Sequence, residues 1–242
     1  MAMKTAAAVR RGLAHQLRGI PCQDEARAAH TGDCAVAAVC DGAGSCPRSE
    51  VAARALCGWI VEWLPPRFEE LYALEEGALV ERVLAEGLRR LDDTGLDRWE
   101  SSCTLVCAAR HRDGRLLVLH VGDGFAFSGQ EVLSHPENGR FAEETYFFSS
   151  PDAARHLRVL RRVEAGDTAV LLTTDGCGDA LYDGEARRPA AAVKKLCDGI
   201  AACTEEEVAA ALRRNLEEVF AQVSEDDLSL AMLWCGADGP ET

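Results

Sequence analysis

Three short runs constrain this chain more than any other feature. Cys34–Cys40 (CAVAAVC), Arg115–Val121 (RLLVLHV) and Thr168–Thr174 (TAVLLTT) are almost wholly apolar, and each leads into an Asp-Gly pair, at Asp41, Asp123 and Asp175. Apolar runs of this length, closed by turn residues, read as strands buried in a core. An aspartate at the end of such a strand sits at the mouth of the core, partly desolvated. Asp-Gly is a common turn pair, and it occurs seven times here, at 41, 113, 123, 175, 183, 198 and 238. Asp113, Asp183, Asp198 and Asp238 stand among polar or flexible neighbours and read as turns alone. The other three share their setting with Asp24 and with Asp226-Asp227, which immediately precede a further apolar run.

Electrostatics gives these acids a common purpose. Two carboxylates about 4 Å apart at an effective dielectric near 20 repel by roughly 4 kcal/mol. Several at one sheet edge therefore require protons or cations between them. Hard divalent ions with oxygen ligands, Mg²⁺ or Mn²⁺, meet that need. Glycine after the acid lets the backbone come close and frees a carbonyl as a further ligand. A carboxylate bridging two such ions would hold a hydroxide poised for in-line attack on phosphorus.

Composition removes other classes. The chain has 242 residues, of which 48% are apolar and 27% charged, the balance of a folded soluble protein rather than a disordered or collagenous one. Its 26 basic and 40 acidic residues give a net charge of −14, against what phosphate-rich nucleic acid or an anionic membrane surface demands. There are 11 cysteines, an odd number, with no Cys-x-x-Cys pair. Many sit in apolar runs, where a reduced thiol acts as a small hydrophobe, so a cytoplasmic setting is expected. No secretory signal is expected, since the apolar patch at Thr5–Val9 is broken by Arg10 and Arg11, and no apolar run is long enough for a membrane span.

The order of elements points to an α+β fold. Met3–Leu17 reads as one or two strands. Glu50–Leu64 has the 3.6-residue apolar period of a helix, stopped by Pro65-Pro66, and a second helix follows at about Glu75–Leu91. Thr104–Ala109, Arg115–Val121, Phe125–Ser128 and Glu131–Ser134 read as strands, the first two joined by a hairpin at His111–Gly114. Pro136–Arg162 reads as a long loop with a short helix near Asp152–Leu157. After the strand at Thr168–Thr174 come helices at about Pro189–Ala202 and Glu205–Val223, the second opened by a Thr204/Glu207 capping box. Leu228–Cys235 is the last strand. Helices arrive in consecutive pairs, which suits antiparallel sheets with segregated helix layers.

At this point the residues carry a resemblance. QDE (Gln23–Glu25), DGAGS (Asp41–Ser45), SSCTLV (Ser101–Val106), VGDGFAF (Val121–Phe127), TTDGCGD (Thr173–Asp179) and DDLSL (Asp226–Leu230) come in the order found in the metal-dependent protein phosphatases of type 2C. The match spans about Leu13–Leu233. It is closest to the short bacterial branch, which has a stretch similar to ETYFFSS (Glu144–Ser150). The resemblance implies one domain over residues 1–242, a four-layer α-β-β-α sandwich of two antiparallel sheets flanked by helix pairs. It implies a phospho-Ser/Thr protein phosphatase with two Mn²⁺ or Mg²⁺ ions, a hydroxide bridging them as nucleophile, and a role in signalling. Asp41 would bridge the ions, with the Gly42 carbonyl on one of them. Asp24 would serve the second ion's side, directly or through water, and Asp175 and Asp226 would hold the first. Asp226 rather than Asp227 matches the ligand, because Ser229 fills the last place of the family pattern. Asp123 and Asp179 match a third, weaker site. Arg18 is the candidate phosphate-contacting arginine. The implied partner is a phosphorylated protein, such as a Ser/Thr kinase or its target, acted on by a monomer.

Two positions depart from the family pattern. Ala43 stands where many members carry a histidine thought to assist the leaving group, and Gln23 stands where many carry Glu. The six histidines are scattered, without a His-Glu-x-x-His pattern, and read as surface or core residues. Arg155, Arg158, Arg161 and Arg162 read as a solvated face, with a groove for an acidic phosphopeptide as the functional reading. The alternative from a different class is a catalytically silent scaffold of the same fold that binds a phosphoprotein or kinase. Retention of every ligand-type acid weighs against it.

Overall fold

The structure, a computed structural model, describes residues 2–137 and 145–236. Glu144 and the Asp238-Gly239 pair lie outside the described residues. Two five-stranded antiparallel sheets form the centre. The first has the order β2 (Asp24–Thr31), β3 (Cys34–Asp41), β4 (Leu105–His111), β5 (Arg115–Val121), β8 (Arg158–Val163). The second has the order β1 (Ala2–Arg10), β12 (Leu228–Gly236), β9 (Thr168–Thr173), β6 (Phe125–Ser128), β7 (Glu131–Ser134), and a separate two-stranded ribbon pairs β10 (Tyr182–Asp183) with β11 (Arg188–Pro189). Helices α2 (Ser49–Trp63) and α4 (Glu76–Asp92) cover the outer face of the first sheet. Helices α7 (Ala191–Ala202) and α8 (Glu205–Glu218) cover that of the second. The result is the four-layer sandwich, and the Thr204/Glu207 capping box opens α8.

The apolar runs are continuous because both faces of each sheet are buried. In β3, Cys34, Val36, Ala38 and Cys40 point to the α2–α4 layer, while Ala35, Ala37 and Val39 point to the opposite sheet. In β12, Leu228, Leu230, Met232 and Trp234 meet the α7–α8 layer, and Ala231, Leu233 and Cys235 meet the first sheet. The period of two belonging to a strand survives as alternation of side-chain size rather than polarity. The layer between the sheets uses many small residues, among them Ala35, Ala37, Ala108, Ala126 and Ala231.

Several local expectations are corrected. Met3–Leu17 is not all strand: after β1 the chain turns at Gly12 into a short helix, α1 (Leu13–Arg18). Its leucines misled, since Leu13 and Leu17 are 43% and 80% exposed. Pro65-Pro66 ends α2 but opens a 3₁₀ turn, Pro65–Arg67, that leads into another helix, α3 (Phe68–Ala73). Proline suits a first helical turn, where its missing N–H has no partner to lose. The loop expected over 136–162 contains α5 (Ala153–His156) and the start of β8, whose three arginines hid an edge strand. β2 and the helix α6 (Asp175–Leu181) had no clear apolar pattern. Asp198-Gly199 lies inside α7, with Asp198 paired to Lys194, and is not a turn. The segment after Glu218 passes into a 3₁₀ turn, Phe220–Gln222, so α8 stops short of Val223.

Leu172 of β9 is fully buried between the sheets. Leu172→Ala is expected to lose about 2–5 kcal/mol of stability, the cost of lost transfer energy plus a cavity. Val223→Ala, at a residue 71% exposed, is expected to stay within about 0.5 kcal/mol of wild type. Urea midpoints of the two variants check this, and equal midpoints would contradict the layer assignment.

Candidate metal centre

The register of one hairpin brings the first two acids together. β2 and β3 are joined by Gly32-Asp33, with Thr31 opposite Cys34. Gly32 has a φ of +59°, the left-handed backbone that a two-residue hairpin turn requires and glycine adopts freely. From that turn the ladder runs without a slip to its other end, where Asp24 faces Asp41. The end of β3 is clamped to the chain ahead of β4. Asp41 N–H donates to Thr104 Oγ1 at 3.0 Å, and Thr104 N–H donates to the Asp41 carbonyl at 2.8 Å. Gly42 N–H donates to the Gln23 carbonyl at 3.0 Å.

The second sheet supplies the facing acids. β9 ends at Thr173, and the chain turns at once into α6, so Asp175 is that helix's first residue. Asp226 lies just before β12, and Asp123 lies between β5 and β6. Arg18, Asp41, Gly42, Asp123, Asp175 and Asp226 line one cavity of about 850 Å³, together with His15 and Gln23. Asp24 is 5% exposed and sits behind Asp41, where its Oδ2 accepts a hydrogen bond from Thr174 Oγ1 at 2.7 Å. Thr174 Oγ1 also meets Ser229 Oγ at 2.9 Å, so a hydroxyl pair from the N-cap of α6 and from β12 reaches across to an acid of the other sheet. Asp179 is an exposed residue of α6 and does not line the cavity, although its charge reaches Asp175.

Crowding raises the proton affinity of these acids. Burial pushes the Asp41 carboxyl well above the usual range, and the charges of Asp24, Asp175, Asp123 and Asp226 push it further. Asp24 is likewise raised, first by burial and then by Asp175 and Asp227, against the hydrogen bonds from Thr174 and Asp41. Asp175 opens onto the cavity yet is closely surrounded by protein. Desolvation, followed by Asp123 and Asp226, pushes it up to about 7.

Asp227 does a different job from its neighbour. It is 3% exposed, and its carboxylate accepts from Gly12 N–H (2.7 Å), Gln23 N–H (2.6 Å) and His15 Nδ1 (2.8 Å). One side chain thus fastens the start of α1 and the approach to β2 onto the second sheet. Glycine makes the close approach possible. A Cβ on Gly12 would lie 2.3 Å from the Asp226 backbone, and one on Gly176 would lie 2.0 Å from the Asp227 carbonyl. The sequence reading missed Asp227, His15 and Thr174. The doubled aspartate was a usable signal, since two adjacent residues of a chain entering a strand point to opposite sides.

The donor set fits a divalent cation. Gln23 Oε1 is buried, borders the cavity and has no hydrogen-bond partner among the described residues. An acceptor oxygen stranded beside carboxylates of raised proton affinity is suited to a cation or its water, since a buried polar atom left unpaired is costly. The carboxylates stand around the wall rather than at one point, which suits Mg²⁺, an ion that keeps several waters. Among the described residues, the tight group of possible ligands lies elsewhere: Glu69, His111 and Asp113, with ligand atoms within 4.8 Å of one another. There Arg115 already pairs with Glu69 and Asp113. Three of the four arginines in the basic cluster are also spoken for, while Arg155 is exposed. Arg158 reaches the Gly122 carbonyl at 3.3 Å, Arg161 the Leu74 carbonyl at 2.7 Å, and Arg162 Glu131 at 2.7 Å, and none of these lines the cavity.

The pattern of the protein phosphatase 2C family matches residues 11–217. The chain belongs to that family. Solved structures agree in fold. RsbX in complex with magnesium is 15% identical, with a TM-score of 0.59, over 96% of this chain and 94% of that one. PppA, a regulatory component of the type VI secretion system in Pseudomonas aeruginosa, is 17% identical, with a TM-score of 0.62, over 97% of each chain. The serine/threonine phosphatase of S. agalactiae is 10% identical, with a TM-score of 0.62, over 96% of this chain and 99% of that one. No curated protein sequence matches.

In this type 2C member Ala43 is 6% exposed, and its N–H donates to the Ser102 carbonyl at 3.0 Å. Its methyl group offers the cavity no proton. The raised acids carry a linkage consequence. As pH rises from about 4 to about 7, the unfolded chain has lost the Asp175 proton that the folded chain keeps. The folded state then binds more protons, so stability falls with rising pH across that window. In chelator, Asp175→Asn is expected to flatten the fall of melting temperature between pH 4 and pH 7 relative to wild type. Parallel melting curves would contradict the crowding.

Proposed function

We propose that the chain, over residues 1–242, is a single-domain, cytoplasmic phosphoprotein phosphatase that hydrolyses phospho-Ser/Thr with Mn²⁺ or Mg²⁺. The observation that carries this reading is the gathering of Asp41, Asp123, Asp175 and Asp226 at one cavity, with Asp24 directly behind and Arg18 at the rim. Asp41, the Gly42 carbonyl, Asp175 and Asp226 would hold the ions, with Asp24 supporting the second. Asp123 and Asp179 would serve a third. When bound, such ions supply Lewis acidity toward phosphate and a nucleophilic water at neutral pH.

The chain's own residues do the rest. Arg18, exposed at the end of α1, takes phosphate oxygens through its planar fork of donors. The Asp227 contacts keep α1, and so Arg18, in register with the acids. The cavity volume accommodates a phosphorylated side chain with flanking peptide, and the −14 charge turns polyanions away. A phosphoprotein in a signalling pathway, a kinase or its target, is the substrate class, and the enzyme acts as a monomer. Among the described residues no helix is long and apolar enough to cross a membrane.

Asp41→Asn is expected to reduce Mn²⁺-dependent phosphate release, from p-nitrophenyl phosphate and from a phosphothreonine peptide, to the level of a chelated control. Wild-type turnover by the variant would remove Asp41 from the mechanism. Mn²⁺ at 100 times its dissociation constant is expected to stabilise the wild type by about 2.7 kcal/mol, read as a raised melting temperature that chelator reverses. An unchanged melt and no turnover would favour the silent scaffold.

A further inference from the structure

We infer that His15 is the proton donor to the leaving group, a role that rests on the function just proposed and names the residue completing it. His15 lies on α1 and lines the cavity that holds Asp41, Asp123, Asp175 and Asp226. It is the one imidazole among the described residues of that wall. Its Nδ1 is 2.8 Å from Asp227 Oδ2, and the Asp227 carboxylate also accepts two backbone N–H groups. Asp227 therefore meets the ring as an acceptor, and Nδ1 carries the hydrogen between them. That assignment follows from the hydrogen-bond network. Nε2 is left without a protein partner among the described residues. A histidine held through one nitrogen by a buried aspartate, on the wall of a reaction site, is the arrangement that moves protons in hydrolases on unrelated folds.

The other donors on the wall suit the task less well. Arg18 does not give up its proton, Ala43 has none, and the aspartates would hold the cations. In the reaction, a water oxygen forms the new bond to phosphorus as the bond to the substrate oxygen breaks. The protonated ring passes its Nε2 proton to that departing oxygen, which leaves as the alcohol. The proton released by the attacking water returns the ring to its starting state through solvent. Phosphate and alcohol are the products, and no electrons change hands.

The test compares leaving groups. A nitrophenolate leaves as an anion and needs no proton, whereas a serine or threonine alkoxide does. General acid catalysis contributes about 10²–10⁴-fold. His15→Gln is therefore expected to lower kcat on a phosphothreonine peptide by at least about 100-fold. On p-nitrophenyl phosphate kcat should stay close to wild type, which also reports that the variant is folded. Equal losses on both substrates, or none on either, would overturn the assignment. Wild-type protein inactive on both substrates with Mn²⁺ would instead overturn the phosphatase reading. A readout independent of turnover is the ¹⁵N spectrum of the His15 ring in chelated protein. A proton on Nδ1 that Asp227→Asn perturbs is expected, and a neutral ring protonated only at Nε2 would also overturn it.

Discussion

Asp24 and Asp41 face each other across the last rung of a two-stranded ladder, Asp24 buried and Asp41 half-buried at the cavity wall. Like charges directly opposite on a sheet are unfavourable, and the remaining aspartates of the cavity add to the strain from the other sheet. The fold does not relieve this by distance. It holds the strands in register with a fixed turn and a clamp at Thr104, and gives the buried Asp24 carboxylate a hydroxyl, Thr174 Oγ1, as a hydrogen-bond partner. The crowding is thereby left open to something that enters from solvent with positive charge. Much of the architecture around the cavity can be understood as holding carboxylates where, alone, they would repel one another.

That arrangement depends on what fills the layer between the sheets. Alanine is the commonest buried residue there, beside Leu116, Leu172 and Leu233, and strand ends from opposite sheets reach the same opening. Larger side chains there would hold the sheets further apart, and the Ser229–Thr174–Asp24 chain of hydroxyl and carboxyl would not close. The helix layers, by contrast, carry the large side chains, Phe68, Ile60 and Leu56 on one side and Phe127, Leu212 and Leu216 on the other.

The parts legible in the sequence were those with one dominant signal. Runs buried on both faces announced β3, β5, β9 and β12, and helical periodicity announced α2, α4 and α8. The acids at 41, 123, 175 and 226 stood out because each adjoined such a run, and the six motifs in order tied them to a family that the comparison of residues 11–217 supports. What stayed hidden had weak or mixed signals. β8 is an edge strand crowded with arginine, β2 is half-exposed, and α1 and α6 are too short for a period to show. His15 could not be linked to Asp227 from the sequence, because their contact spans 212 positions and depends on two sheets meeting. Arg18 and Asp179 show the limit from the other side: a matching motif placed one at the cavity and the other outside its wall.

The cysteines add a last consequence. All eleven are free thiols, and nine are buried. Burial pushes Cys40, Cys103 and Cys107 far toward the protonated form, with Asp41 adding to the effect at Cys103. Even half-buried Cys22 is raised, by burial first and then by Asp24 and Asp227. The thiolate is the reactive species, so burial keeps this sulfur poorly nucleophilic, and the negative field that would draw cations into the cavity adds to the effect at Cys22 and Cys103. A chain this rich in cysteine thus keeps most of its sulfur in the protonated form at its own centre, a chemical quietness that comes chiefly with burial and needs no dedicated shield.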